Sequence, residues 1–284
     1  MSKKLTIILP VFNNIETLDD TLSSILDQTV KNFDVIIIDD NSTDGSSKIL
    51  KNYAQKHDFF YKKIFTDYDS KILNGINVDT GTSACNEALK HATSDWIVTI
   101  GDEILLKNSV EIILNIINQY SYDHIILDVL NIKKSENSKI RKKKFDFEKF
   151  KKNEGLKLIS KERLLKFTHS QIGMMNKYFP QFSSKLNFNI KNNFFLRKFF
   201  FKSFKPLPGN AGGSLINKRV YKNINYNYLN QRIFPSFNGR GADRDYNFRI
   251  INKFKNSVQI SLPILPSNMD HEVDNEFLKN YLKD

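Results

Sequence analysis

The sequence predicts an α/β protein, an open doubly wound, mostly parallel sheet carrying a C-terminal lobe. Short β-branched apolar runs recur along the first half, each run ends in polar turn residues, and amphipathic helical segments lie between the runs. Leu5–Leu9 and Val35–Ile38 are such runs, and Trp96–Ile100 and Ile125–Leu130 repeat the pattern. Continuous apolar runs, as opposed to alternating ones, belong to strands covered on both faces. Between them Ile15, Leu18, Leu22, Ile25 and Leu26 recur at helical spacing, as do Val110, Ile113, Leu114 and Ile117. After the second run, Asn41-Ser42-Thr43-Asp44-Gly45 supplies turn and cap residues, which predicts a helix beginning near Ser46.

From Lys133 onward the pattern loosens, so residues 1–132 form one half and residues 133–284 a second half of the same unit, with the boundary near 131–140. Order returns after the turn-rich Pro206-Leu207-Pro208-Gly209-Asn210-Ala211-Gly212-Gly213, with a strand expected at Ser214–Asn217 and a short helix behind it. A helix is expected over Asp243–Phe254 and a strand over Val258–Leu262. No internal repeat is present.

With 284 residues and 40% hydrophobic content the chain can bury a substantial core. The net charge of +12 is concentrated: residues 133–205 hold 21 Lys and Arg against 5 Asp and Glu, a local +16 that leaves −4 for the remainder. The single cysteine, Cys85, excludes an internal disulfide framework and a cysteine-built zinc cluster, and fits a reducing cytoplasm. Leu5–Leu9 meets Pro10 and polar residues in place of a cleavage site and reads as a first strand, and no apolar stretch approaches the roughly 20 residues of a spanning helix. The expected location is therefore cytoplasmic. The basic, Phe-rich stretch 193–205 admits two readings: an interfacial segment giving peripheral contact with the inner face of the cytoplasmic membrane, or aromatics that pack the second lobe beneath solvated lysines. No nucleic-acid module is recognisable, so no nucleic-acid partner is expected; the competing reading of the +16 region predicts steeply salt-dependent association.

In open α/β sheets ligands gather outside the carboxyl ends of the strands. Phe12-Asn13, Asp39-Asp40 and Gly101-Asp102-Glu103 all fall at such ends, so three loops converge on one rim with an aromatic ring and several carboxylates. An aromatic surface suits a nucleotide base, and carboxylate oxygens suit Mg²⁺ or Mn²⁺ beside a diphosphate.

Taken in order, Pro10-Val11-Phe12-Asn13-Asn14, Ser24-Ile25-Leu26-Asp27-Gln28-Thr29, Val35 through Gly45, Ser83-Ala84-Cys85-Asn86-Glu87-Ala88 and Ser94-Asp95-Trp96-Ile97-Val98 resemble the family 2 glycosyltransferases of the GT-A fold. The resemblance implies an inverting transfer of a hexosyl or N-acetylhexosaminyl group from a nucleotide sugar to a glycan acceptor, and the stretch 193–205, read as interfacial, adds a lipid-linked glycan as a candidate acceptor. It places Pro10, Phe12, Asn13 and Asp40 at the nucleotide, with Phe12 against the base where the family often has Tyr. Asp40 would accept the imide N3–H of a pyrimidine, which implies a UDP- or dTDP-sugar. Asp39 is open between the site and the turn that follows the strand.

Gly101-Asp102-Glu103 stands where the family usually carries Asp-x-Asp, and it differs from the x-Asp-Asp form only in its last residue. The resemblance implies a divalent cation, Mg²⁺ or Mn²⁺, with Glu103 as direct ligand and Asp102 in ribose or water-mediated contacts; an acidic loop ahead of the next helix is the plainer alternative. Gly239-Arg240-Gly241-Ala242-Asp243-Arg244-Asp245-Tyr246-Asn247-Phe248-Arg249 resembles the family's Glu-Asp motif with its later Arg: Ala242 replaces Glu, while Asp243 and Arg249 keep their spacing. That makes Asp243 the expected base, against the competing reading of a helix N-cap. Asp245 is expected to point elsewhere. Gly212-Gly213 resembles the glycine-led strand below the acceptor site, where missing side chains let backbone approach a sugar. His271 matches a late histidine that reaches the metal or diphosphate, or else lies at the surface, and His57, His91, His124 and His169 carry no supporting pattern. The altered Gly-Asp-Glu and Ala-Asp motifs leave a second functional reading open, a catalytically impaired protein that binds nucleotide sugars.

Overall fold

The computed structural model describes residues 4–66, 72–73, 76–77, 81–101, 103–132, 134–153, 158–160, 213–228, 242–254 and 256–267. The strands are β1 (Leu5–Val11), β2 (Phe33–Asp40), β3 (Phe60–Ile64), β4 (Ile72–Leu73), β5 (Ile76–Asn77), β6 (Trp96–Thr99), β7 (His124–Asn131), β8 (Leu158–Ser160), β9 (Ser214–Asn217) and β10 (Ser257–Ser267). The helices are α1 (Ile15–Leu26), α2 (Ser46–His57), α3 (Thr82–His91), α4 (Ser109–Gln119), α5 (Asn137–Ile140), α6 (Phe147–Asn153), α7 (Lys218–Tyr221) and α8 (Ala242–Lys253), with a 3-10 turn at Lys134–Glu136. Among the described residues, eight strands form one sheet in the order β3-β2-β1-β6-β9-β7-β10-β8, and β4 pairs only with β5.

β3, β2, β1 and β6 are parallel, as are β7 and β10. β9 runs antiparallel between β6 and β7, with Val98 opposite Leu215 on one side and Ile125 opposite Leu215 on the other. β8 closes the far edge antiparallel to β10. The strand predicted at Ser214–Asn217 therefore exists with those bounds and completes the middle of the sheet.

The continuous apolar runs are explained by cover on both faces. Leu5, Ile7 and Leu9 pack under Leu18, Leu22 and Ile25 of α1 and Val110, Ile113 and Ile116 of α4, whereas Ile8, Ile36 and Ile38 pack under Ala84, Ala88 and Leu89 of α3 and Tyr246 and Ile250 of α8. Each such Leu, Ile or Val side chain taken out of water contributes about 1.5–3 kcal/mol. The result is a three-layer α/β/α body. Residues 137–150 wrap back onto the first half: Ile140, Phe145 and Phe150 join the α1 and α4 core, and Asn137 Nδ2 donates to Asp20 at 3.0 Å. Among the described residues no helix is long and apolar enough to cross a membrane.

One polar cluster sits inside this body. His124, at the start of β7, is fully buried, and its Nε2 lies 3.1 Å from Oδ1 of Asn247 in α8. The same oxygen accepts from Ser214 Oγ at 3.1 Å. Burial pushes the imidazole down to about 4, against a smaller upward effect of the Asn247 bond. The unfolded chain takes up this proton near pH 6.5 and the folded chain only near 4, so stability is complete above pH 6.5 and is lost as the pH falls between those values. Between pH 7 and pH 5 the unfolding free energy from urea titration should fall by about 2 kcal/mol more in the native protein than in His124→Gln; parallel pH curves for the two would remove His124 from the acid response.

Candidate active site

The carboxyl ends of β1, β2, β3 and β6 share one edge of the sheet, and the loops leaving β1 and β2 are fastened to each other there. Asn13 and Asn41 both hold left-handed backbone, φ 47° and 58°, a conformation asparagine tolerates better than most residues. Asn13 N–H donates to Ser42 Oγ at 3.1 Å, and Thr43 N–H donates to Asn13 Oδ1 at 2.7 Å. Asn14 N–H reaches Ser46 Oγ at 3.2 Å, and Ile15 N–H reaches Asp44 Oδ2 at 2.9 Å. Gly45 caps α2 at φ 100°, backbone that L side chains rarely adopt, and a Cβ there would stand 3.0 Å from the tip of the Ile15 side chain. Burial tends to raise the Asp44 carboxyl, but hydrogen bonds from Ser46 and Ile15 outweigh it and hold the group below the usual aspartate range.

This stapling leaves Phe12 at the edge, 41% exposed, with Pro10 two residues before it opposite Ile38. Asp39 and Asp40 divide their work. Asp39 is fully buried and spends its carboxylate on the turn, accepting from Ser42 N–H at 2.9 Å, from Tyr61 Oη at 3.0 Å and from the Ser47 hydroxyl. The Tyr61 hydroxyl is accordingly pushed up, by burial first and by Asp39 second. Asp40 is 2% exposed at the last position of β2 and accepts from the Thr66 hydroxyl, so Thr66 orients this carboxylate from beyond β3. Of the two acids, Asp39 is thereby the turn residue, and the base-contact expectation stays with Asp40.

The β6 loop is braced equally closely. Glu103 is 4% exposed, and its carboxylate accepts the N–H of Gly101 in its own loop. Ser24 Oγ accepts from Leu105 N–H at 3.1 Å, and Gln28 accepts from Val110 N–H at 2.9 Å while donating to Leu106 O at 2.8 Å. Ser24 and Gln28 lie in the stretch Ser24–Thr29 that carries the resemblance, yet nothing about an Ser-x-x-x-Gln spacing announces a brace for a distant loop. Asp102, Gly212 and His271 lie outside the described residues, as does the stretch 193–205. Among the described residues no group of three or more His, Cys, Asp or Glu side chains is arranged to hold a metal ion.

α8 brings the expected base to the same edge. Its last turn lies at the amino end of the sheet, where Lys253 Nζ donates to Asn223 O at 3.5 Å, and its middle lies over Ser214 and His124. Its first turn, with the half-buried Asp243, therefore reaches the carboxyl edge. Tyr226 lies between, bonded to Thr99 at the end of β6 and stacked on Tyr246 at 3.8 Å between ring centroids. Burial, and then the charges of Cys85, Tyr246 and Asp243, keep the Tyr226 phenol well above its ordinary range, so it is a neutral neighbour of Asp243. Asp245, on the next turn face, is fully buried and accepts from Arg249 Nε at 2.8 Å, while another Arg249 nitrogen donates to Asn225 O at 2.6 Å. Arg249 thus anchors the helix to the segment 224–228. Gly213, buried at φ 95°, holds the start of β9 against Leu127, whose N–H it accepts at 3.0 Å.

The family model for glycosyl transferase family 2 matches residues 6–201 of this chain. The chain belongs to that family. EpsE of Bacillus subtilis, named as a glycosyltransferase, is 34% identical over 109 residues, 38% of this chain and 36% of EpsE. The cholesterol galactosyltransferase of Borreliella burgdorferi is 30% identical over 113 residues, 39% of this chain and 28% of the relative. The match thus spans about a third of these curated relatives, 36% of the first and 28% of the second. The crystal structure of S. aureus TarS superposes with TM-score 0.53 at 14% identity, covering 94% of this chain and 37% of TarS, and a TarS fragment in complex with UDP-GlcNAc gives 0.52 at 13%, covering 97% of this chain and 60% of the fragment. The fold of this family 2 chain is the GT-A arrangement.

Asn86, on α3, ties that helix to the segment 224–228. Its Oδ1 accepts from Tyr226 N–H at 2.8 Å and its Nδ2 donates to Tyr226 O at 3.0 Å, so one amide satisfies both backbone groups of an extended segment. Asn86→Ala strands both groups and should lower the unfolding free energy in urea by about 2 kcal/mol; a loss below about 0.5 kcal/mol, the scale of a neutral surface change, would mean that water replaces the amide.

Proposed function

We propose that the protein is an inverting glycosyltransferase that moves a hexosyl or N-acetylhexosaminyl group from a UDP- or dTDP-sugar to a hydroxyl of a growing glycan, of the polysaccharide, lipooligosaccharide or lipid-linked kind. The carrying observation is the convergence, at one sheet edge of a family 2 chain, of exposed Phe12, the strand-end carboxylate Asp40 and the first turn of α8 with Asp243.

Phe12 offers a ring face to the base, and Asp40, oriented by Thr66, accepts the N3–H of uracil or thymine. α3 and α8 also begin at this edge, and the N–H groups of their first turns favour a diphosphate. Asp243 takes the proton of the acceptor hydroxyl as its oxygen bonds to the anomeric carbon, and the bond from that carbon to the diphosphate oxygen breaks on the opposite side. Tyr226, buried and neutral, leaves Asp243 as the group beside it that can accept this proton. The hard oxygens of Glu103 would hold Mg²⁺ or Mn²⁺, with His271 and, directly or through water, Asp102 as the further expected ligands, and such an ion would supply positive charge beside the diphosphate. The 193–205 stretch would bring the enzyme to a membrane surface where the acceptor is lipid-linked.

The bond from Gly101 N–H to the Glu103 carboxylate favours a second reading, a nucleotide-sugar-binding protein without turnover. UDP-sugars, UDP-N-acetylglucosamine first since the TarS fragment holds it, should raise the melting temperature in the presence of Mn²⁺ and be turned over to UDP. Asp243→Asn should lower turnover about 10²- to 10⁴-fold with UDP affinity unchanged, and Asp40→Ala should weaken UDP binding about 10-fold. A melting shift with no UDP released from any donor and acceptor would select the second reading, and neither shift nor release would sink both.

A further inference from the structure

The side of α8 that faces the sheet is held differently from the side that faces the segment 224–228. Towards that segment, Tyr246 Oη donates to Ile224 O at 3.2 Å and Arg249 donates to Asn225 O, while the ring of Tyr246 stacks on Tyr226. Towards the sheet, a single oxygen, Asn247 Oδ1, receives Ser214 Oγ and faces His124 Nε2, each at 3.1 Å. Ser214 opens β9 directly after Gly213, and His124 opens β7, so this oxygen refers the helix to two neighbouring strands at once. With His124 neutral, the bond requires the proton on Nε2.

The grouping is not built for stability. His124 Nδ1, Asn247 Nδ2 and Ser257 Oγ are buried without a hydrogen-bond partner among the described residues, and each such orphan is a cost that an apolar filling of the same space would remove. What the polar arrangement supplies is direction. Asn247 stands one helical turn after Asp243, on the same face, so a rotation of α8 about its axis moves both together.

We propose that Asn247 is a positioning residue for sugar transfer: its oxygen, gripped by Ser214 and His124, fixes the rotation and height of α8, and thereby the aim of the Asp243 carboxylate at the carboxyl edge. The inference rests on the reading of Asp243 as the base. Because Tyr246 and Arg249 tether the other side of the helix, losing the Asn247 grip lets the first turn shift without detaching it.

The test is a double-mutant cycle of Asn247→Leu with Asp243→Asn, reading UDP release from UDP-glucose, UDP-galactose and UDP-N-acetylglucosamine with Mn²⁺. N247L should lower kcat about 10- to 100-fold, the scale of a misplaced catalytic group, with the donor KM within about 3-fold of native. In the D243N background it should change kcat by less than about 2-fold, since no base remains to aim. Equal losses in both backgrounds would reduce Asn247 to a folding residue and overturn the inference. Ser214→Ala removes one donor without altering the shape of Asn247 and serves where N247L fails to fold; it should lower kcat in the native background and leave D243N unchanged. Full activity of D243N would retire the base assignment on its own, an outcome distinct from additivity between two impairing substitutions.

Discussion

Loops at the carboxyl edge expose backbone groups that neither a strand ladder nor a helix can satisfy, and that edge depends on supplying partners from elsewhere in the chain. Small polar side chains do this. Asn13, Ser42, Asp44 and Ser46 cross-link the first two loops, Ser24 and Gln28 hold the third, and Asn86 holds the segment before α8. Asn108 repeats the device farther along, its amide meeting both the N–H and the C=O of Phe145. Ser24, Ser46 and Asn86 stand on helices packed against the sheet, so through them the loops that carry Phe12, Asp40 and Glu103 are tied to the core.

Charge is managed on the flank by a surface network. Glu87, on α3, is drawn down to about 2 by Lys62, then by Lys90, with burial opposing and His91 adding to the effect. Lys62 stands on β3, so the pair ties the edge strand to α3 across the surface at 2.6 Å. His91 in turn lies 4.4 Å from the ring of Phe60, centroid to centroid. Thr6, Phe33, Phe60 and His91 line a cleft of about 270 Å³ at the amino end of the same strands. That cleft is on the opposite edge of the sheet from Asp40 and Asp243.

Much of the first half was legible because burial on both faces of a parallel strand writes itself as an unbroken apolar run. β1, β2, β6 and β7 follow the runs at Leu5, Val35, Trp96 and Ile125, and α1 and α4 follow the helical spacing of their apolar residues. The division between Asp39 and Asp40 was not legible, since both are strand-end carboxylates and only Ser42, Ser47 and Tyr61 decide which one closes the turn. His124 carried no pattern for a related reason: its partner Asn247 stands 123 residues away, and packing of α8 alone brings them together. Arg249 was read with the acceptor site from its spacing to Asp243, and its contacts to Asp245 and Asn225 add a local anchoring role that spacing does not reveal.

The antiparallel strand β9 has a bearing on how the chain reaches this structure. β6 and β7 are separated by it and touch through it, although they lie close in sequence and β9 begins only at Ser214. Until the ribosome has delivered that segment, each of the two strands presents an open, apolar edge that nothing local can cover. The first half can assemble β1, β2, β3 and β6 early, but closure of the sheet waits for a contact of long sequence separation, a slow kind of event in folding. A nascent or truncated chain ending before β9 would lack β10 as well, leaving one edge of β6 and both edges of β7 open, and its fate in the cell would be decided by chaperones and not by the fold.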